Sequence, residues 1–236
     1  MTDAPAPRAA ILVAMEEEAQ PFLDRAEHHG ETFARERGHG MRRDLVIDGI
    51  PVALIRSGIG FANATAAAAY AFYTFGASVP LISAGTAGGL ASGIRVGHVV
   101  VGERYVNMNA DATAFGYSLG QVPGMPEHYA GDEELTARAI AAPHGDDVGT
   151  GVVGSSEVFV TEKRALKFRE DFPDVVAVDM ESAAIAQFAH THGQAFVSVR
   201  AISDLCAPDG TEFLTHVDGA AERSADVVVG LLRALG

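Results

Sequence analysis

The chain of 236 residues has almost no cysteine and no clusters of basic residues, which excludes several functional classes. Cys206 is its single cysteine, so neither an intramolecular disulfide nor a cluster of thiolate metal ligands can form. Lysine and arginine number 17 against 31 acidic residues, and the net charge is −14. Nucleic-acid binding needs clustered basic side chains that neutralise phosphates, so we exclude it as a function.

Long hydrophobic runs are also missing. The apolar stretches are far shorter than the about 20 residues that a membrane-spanning helix needs. The opening MTDAPAPR is too poor in apolar residues for a signal peptide, and we expect residues 1–8 to form a disordered tail. These features together predict a cytoplasmic protein that does not associate with membranes.

Patterns that would indicate a metal or a cofactor are absent as well. No spacing of histidines and acids fits the usual metal-ligand motifs, so we expect no metal ion. SGIGFAN, residues 57–63, has an asparagine where a dinucleotide-binding fingerprint has its third glycine. No acid ends the next predicted strand to bind a ribose, and we therefore expect no cofactor.

What the sequence does contain is an alternation of short apolar runs and helical stretches, which is typical of a layered α/β fold. Strands are predicted at 9–14, 45–47, 52–55, 79–84, 98–106, 152–153, 175–178 and 196–202. Helices are predicted from Glu16 onward, at 61–75, 132–142, 162–171 and 182–188, and within 212–235. Asp48-Gly49 between two strands predicts a tight hairpin turn. Since no linker or repeat interrupts this order, we expect residues 9–236 to form one domain.

Ligands of open α/β sheets bind beyond the carboxyl ends of the strands, and four predicted strand ends carry unusual residues. AMEEEAQ, residues 14–20, places three glutamates at the start of a helix, where they either favour the helix dipole or face a site. SAGTAGGL, residues 83–90, follows a strand with three glycines. These glycines either let the backbone approach a ligand closely or form a tight packing turn.

The third strand end, VAVDMESAAIAQF, puts Asp179 and Glu181 between an apolar strand and an apolar helix. Asp179 by itself is explained as a helix cap. Glu181 is harder to explain, because an unpaired buried acid costs about several kcal/mol or takes up a proton. Two vicinal sugar hydroxyls would satisfy such an acid.

The fourth strand end, VRAISDLC, sets Arg200 inside a strand and Asp204 at its end. An ion pair between the two is one interpretation. Positions four apart on a strand share a face but lie about 13 Å apart, which argues against that pair. Asp204 is therefore a candidate proton donor.

The chain closely resembles the 5′-methylthioadenosine/S-adenosylhomocysteine nucleosidases of the purine nucleoside phosphorylase superfamily. The resemblance extends from Ala9 to the final helix and rests on these segments in this order: AMEEE, SGIG, AGTAGGL, NADATAFGYSLGQVPGMP, VAVDMESAAIA and VRAISD. It implies a single α/β domain with a twisted mixed central β-sheet flanked by helices, and a homodimer. It also implies hydrolysis of the N-glycosidic bond of 5′-methylthioadenosine, S-adenosylhomocysteine and 5′-deoxyadenosine, with the nucleoside and water as the reactants.

The resemblance assigns the chemistry to two acids. Glu18 would be the general base that activates water, and Thr86 and Arg200 would help to hold that water. Asp204, positioned by Ser203, would donate a proton to purine N7 as the bond breaks. Asp204 has to be partly buried for this role, because an ordinary aspartate has a pKa of about 3.9.

The resemblance also assigns the substrate contacts. Glu181 would bind the ribose hydroxyls, with Met180 beside the sugar. Phe159 would stack on the adenine, and the backbone of Val160 would read the edge of the base. Met15 and Ile59 are further expected contacts.

The 5′ group would be covered from the neighbouring subunit. Phe115 and Pro123, on the loop 107–130, would reach into that subunit's site and contact the alkylthio group. Asp179 falls where the family has an acid with a longer side chain. Its role here is therefore either in the chemistry or only structural.

Three other functions compete with this interpretation. The superfamily's phosphorylases carry a glycine- and arginine-containing loop after the first strand, whereas AMEEE would repel phosphate, so hydrolysis is expected. A futalosine-type nucleoside hydrolase of menaquinone synthesis has much the same catalytic residues and stays an alternative. A non-catalytic nucleoside-binding relative would be expected to lack an acid at Glu18 or Asp204, and both are present.

Overall fold

The computed structural model describes residues 6–34, 40–142, 147–207 and 209–236. Within these ranges the strands are β1 (Ala10–Val13), β2 (His28–Ala34), β3 (Met41–Ile47), β4 (Ile50–Arg56), β5 (Leu81–Gly89), β6 (Val99–Asn107), β7 (Tyr129–Ala130), β8 (Val148–Ser155), β9 (Val175–Asp179) and β10 (Phe196–Asp204). The helices are α1 (Glu16–Arg25), α2 (Phe61–Phe75), α3 (Glu133–Ala141), α4 (Glu162–Asp171), α5 (Ser182–His192) and α6 (Thr211–Leu235). No helix in the described ranges combines the length and the apolar character needed to cross a membrane.

All of these strands belong to one mixed sheet, part of which closes into a small barrel. β5 pairs in parallel with β10, and β10 pairs antiparallel with β6. β6 continues through β8 to β9, and β9 returns antiparallel to the last residues of β5, Gly88 and Gly89. β1, β4, β3 and β2 extend from β5 as an open sheet. The closure brings the carboxyl ends of β8 and β9 to the second half of β5.

The core lies on both faces of the sheet, because central strands such as β1 and β10 are buried at every position. Along β1, Ile11 and Val13 face a cluster formed with α1, α3 and α6, whereas Ala10 and Leu12 face a cluster formed with α2 and α5. Each fully buried leucine or isoleucine contributes roughly 1.5–3 kcal/mol of hydrophobic stabilisation. The α/β class with a mixed central sheet and flanking helices confirms the predicted fold.

The strongest local signals predicted their elements well. The helices predicted at 61–75 and 162–171 have the bounds of α2 and α4. β3 and β4 form the predicted hairpin, with Asp48 and Gly49 at φ values of 49° and 74°. Both central residues of the turn are thus in the left-handed region that a tight two-residue hairpin requires.

Four strands differ from the predictions, counting β7, which lies at the end of the predicted loop 107–130. The strand predicted at 79–84 is β5, which continues through the glycine-rich segment as far as Gly89. Glycine is needed there because a Cβ on Gly88 would lie 2.8 Å from the sulfur of Cys206. β8 is longer than the predicted 152–153, and β2 was not predicted because its sequence, HHGETFA, has no apolar run.

Residues 1–8 were predicted to be disordered, and residues 1–5 of this segment lie outside the described part of the chain. Arg8 is part of the fold, which corrects the predicted end of that tail. Its backbone N–H donates to the Pro51 carbonyl at 2.8 Å, and its guanidinium donates to the Leu235 carbonyl at 3.0 Å.

Candidate active site

A cleft of about 560 Å³, counted with its open mouth, lies where the ends of β1, β4, β8, β9 and β10 meet the second half of β5. The cleft is lined by many of the site residues expected from the sequence: Met15, Glu18, Ile59, Thr86, Phe159, Met180, Glu181, Ser203 and Asp204. The barrel closure therefore unites strand ends that are far apart in the chain.

Glu18 is held rigidly in the wall of this cleft at the start of α1. Its Oε2 accepts hydrogen bonds from the backbone N–H groups of Ala14 at 2.8 Å and Met15 at 3.2 Å. Its Oε1 accepts bonds from the N–H and the hydroxyl of Thr86 at 2.9 and 3.1 Å. The two preceding glutamates are exposed. Of the three adjacent acids, only Glu18 therefore belongs to the site.

Arg200 lies behind the cleft, and its partner is Asp179 rather than Asp204. Its Nε is 2.7 Å from Asp179 Oδ2, and its Nη2 donates to the Ser83 hydroxyl at 2.7 Å. The same nitrogen is 3.8 Å from Glu181 Oε2. Asp179 is thus the buried counter-ion of Arg200, and among the described residues Arg200 is not part of the cleft lining.

Glu181 is a buried acid whose charge is disfavoured by its surroundings. Its Oε1 accepts a hydrogen bond from the Gly60 N–H at 3.0 Å, and its Oε2 accepts one from the Met180 N–H at 3.2 Å. Burial, followed by the negative charges of Asp179 and Glu18, raises the pKa of Glu181 to about 8. The surroundings of Glu181 therefore favour its protonated form more than water does.

Asp204 has the environment that a proton donor needs. Burial raises the pKa of its carboxyl above the ordinary value, although two hydrogen bonds oppose this effect. These bonds come from the Cys206 N–H to Oδ1 at 2.9 Å and from the Ser203 hydroxyl to Oδ2 at 3.0 Å. The two donors fix the orientation of the carboxyl group at the end of β10.

Two aromatic rings form the apolar side of the cleft. Phe159 is 44% exposed at the mouth, and the ring of Phe213 meets it edge-on with centroids 5.8 Å apart. Phe213, from the first turn of α6, was missed in the sequence because one aromatic residue in a long helix is no signal of a site. The other lining residues not predicted are Ala14, Ala87, Gly88, Val178 and Asp179.

Besides Arg200, three predicted site residues lie outside this cleft within the described part of the chain. The side chain of Val160 is buried in a separate apolar cluster with Phe168. Phe115 and Pro123 are exposed on the loop 107–130. Among the described residues, no group of three histidine, cysteine or acidic side chains is placed to hold a metal ion.

Comparison with known proteins places these features in a family. Residues 8–233 match the model of the phosphorylase superfamily. A curated 5′-methylthioadenosine/S-adenosylhomocysteine nucleosidase of Geobacillus kaustophilus is 36% identical over 230 residues, which are 95% of this chain and 96% of the relative.

Solved structures agree with this match. The crystal structure of the nucleosidase from Neisseria meningitidis, in complex with methylthio-immucillin-A, has a TM-score of 0.90 at 34% identity. The match covers 96% of this chain and 98% of that one. Futalosine hydrolase of Helicobacter pylori has a TM-score of 0.87 at 24% identity, covering 97% and 98% of the two chains. The latter likeness shows a common fold and no more.

Proposed function

Because the chain belongs to the phosphorylase superfamily, with 5′-methylthioadenosine/S-adenosylhomocysteine nucleosidases as close relatives, we propose that it hydrolyses the N-glycosidic bond of these two nucleosides. The products are adenine and the 5′-substituted ribose. The observation that carries the proposal is the convergence of Glu18, Glu181 and Asp204 on one cleft with an aromatic side. 5′-Deoxyadenosine, which keeps the same sugar and base, is a further proposed substrate.

Asp204 supplies the proton for the departing base. Breaking the bond leaves negative charge on the purine, and a proton delivered to N7 neutralises it. The raised pKa of Asp204 supports this role, because a general acid has to hold its proton until the transfer. Such a step contributes roughly 10²–10⁴ in rate.

Glu181 binds the sugar on the other side of the bond. Its two oxygens are fixed by the N–H groups of Gly60 and Met180, which leaves the carboxyl group aimed at one place in the cleft. A carboxyl group can form hydrogen bonds with two vicinal hydroxyls at once. The neighbouring carboxylates of Asp179 and Glu18 favour the positive charge that develops on the ribose in the transition state.

Glu18 accepts the proton of the attacking water. The charges around the cleft support water as the nucleophile rather than phosphate. Acidic side chains line the cleft, whereas the guanidinium of Arg200 is held behind it by Asp179. Phosphate would need several cationic or amide donors facing it.

We further propose that the protein works as a homodimer in the cytoplasm, with Phe115 and Pro123 covering the 5′ group in the partner's cleft. Phe115 is 84% exposed, so its ring is accessible for such a contact. The molar mass from light scattering tests the dimer, since a value near 24.6 kDa would identify a monomer and overturn this part.

One assay tests the proposed activity. The purified protein is incubated with methylthioadenosine, S-adenosylhomocysteine, 5′-deoxyadenosine, inosine and a futalosine-type nucleoside, and free base is measured. We expect the two thioether nucleosides to give the highest kcat/KM, and phosphate to cause no acceleration. A ribose-1-phosphate product would overturn hydrolysis, and a preference for the futalosine-type nucleoside would overturn the substrate class.

A further inference from the structure

The N-terminus of α2 is bound by two carboxylates from other parts of the chain. Gly60, which precedes the helix, has no side chain to cap it. Glu181 accepts the Gly60 N–H at 3.0 Å, and Glu157 Oε1 accepts the Phe61 N–H at 2.9 Å. Acceptors at this end satisfy the unpaired N–H groups and interact with the positive end of the helix dipole. Glu157 is exposed and has no part in the mechanism above.

Glu157 also ties down the loop that carries Phe159. It follows β8, and its own N–H donates to Asn109 Oδ1 at 2.7 Å. The Asn109 amide in turn donates to the Ser156 hydroxyl at 3.3 Å. Asn109, Glu157 and Phe61 therefore form a bridge between three segments: the loop after β6, the loop after β8 and the start of α2.

This bridge joins two walls of the cleft. Ile59 lines the cleft from the α2 side, and Phe159 lines it from the β8 side. The two side chains are 49% and 44% exposed, so the core fixes neither of them. Glu157 Oε2 lies only 3.0 Å from where a Cβ of Gly60 would be, so the carboxylate packs directly over that residue.

We propose that Glu157 is a positioning residue of the nucleoside site. Its carboxylate sets the spacing between the sugar side of the cleft, where Ile59, Gly60 and Glu181 lie, and the base side, where Phe159 lies. That the ligand is a nucleoside rests on the proposed function. The bridge itself is independent of it.

Kinetics test the functional part. Glu157→Ala is expected to raise KM for methylthioadenosine about five- to tenfold, the scale of a lost helix cap, with kcat within about threefold. kcat is spared because Glu18 and Asp204 are untouched. Glu157→Gln keeps an acceptor of the same reach and is expected to stay within about threefold of the wild-type KM. Glu157→Asp is one methylene shorter and is expected to behave like the alanine variant.

Amide hydrogen exchange tests the bridge without reference to catalysis. Glu157→Ala is expected to speed amide exchange in both 57–64 and 156–160. The control is Glu170→Ala, which removes an exposed carboxylate on α4 and is expected to change neither the exchange of these segments nor KM. Unchanged exchange in Glu157→Ala, or a loss confined to kcat, overturns the proposal. If the alanine variant does not fold, an equal KM for the glutamine and aspartate variants overturns it instead. A wild-type protein that releases no adenine overturns the proposed function, while exchange still decides the bridge.

Discussion

The guanidinium Nε of Arg200 lies 2.7 Å from Oδ2 of Asp179, and each of these side chains is only 1% exposed. The hydroxyls of Ser155 and Ser182 also donate to the carboxylate of Asp179. A buried ion pair needs such additional bonds, because removing each charge from water costs about several kcal/mol. The pair fixes the charges directly behind Glu18 and Glu181 and thereby determines the electrostatics of the cleft.

Removing the charge of Asp179 is expected to destabilise the fold strongly. Asp179→Asn removes the acid that lies 2.7 Å from the buried Arg200, which costs about 3–5 kcal/mol and lowers Tm by at least about 6 °C. Asp147→Asn is the matched control, because its pair with Arg95 is largely exposed and contributes at most about 1 kcal/mol. Thermal unfolding of the two variants measures the difference, and equal Tm values would contradict a structural role for Asp179.

Asp204→Asn is expected to separate binding from chemistry. The amide keeps the shape of the side chain but cannot donate the proton, so kcat for adenine release falls by at least about 10². Nucleoside affinity, measured by calorimetry, stays within about tenfold. Asp218→Asn, which changes an exposed acid on α6, is the control and keeps full activity. Turnover close to wild type would remove Asp204 from the role of general acid.

The raised pKa of Glu181 predicts how stability depends on pH. The folded protein binds a proton with a pKa of about 8, whereas the ordinary value is 4.5. Stability contributed by this group is fully present below the lower value and is lost as pH rises through the upper one. We expect Tm to fall from about pH 5 to about pH 9, and to fall less in Glu181→Gln, which does not titrate. If Tm depended on pH in the same way in both proteins, a raised pKa of Glu181 would be excluded.

Gly85 is expected to tolerate no side chain, for a steric reason. A Cβ there would collide with Oε1 of Glu18 and lie 2.6 Å from Nη1 of Arg200. Gly85→Ala should cost about 1–3 kcal/mol and lower kcat at least about tenfold by displacing the base. Gly149→Ala is the control, since its new Cβ would meet its nearest atom at 3.6 Å. Normal turnover by Gly85→Ala would show that the position of Glu18 is not critical.

The rule that ligands bind at strand ends predicts most of the site but not the part that lies along β5. Glu18, Glu181 and Asp204 follow or end strands, and each is where that rule places a ligand contact. Thr86 lies within a strand instead, because β5 passes through the site and pairs with β9 at Gly88. Phe213 was missed because its contact with Phe159 depends on where α6 begins in space.

The amino-acid sequence by itself determined the kind and order of the main elements and which acids stand at strand ends. These are local properties: the hairpin at Asp48-Gly49 and the helix at 61–75 follow from turn residues and composition within a few positions. Only the tertiary structure decided that Arg200 pairs with Asp179, and that the pKa of Glu181 is raised. Both depend on distances between strands, and those distances are set when β9 closes the barrel against β5 and excludes water from the acids behind the cleft.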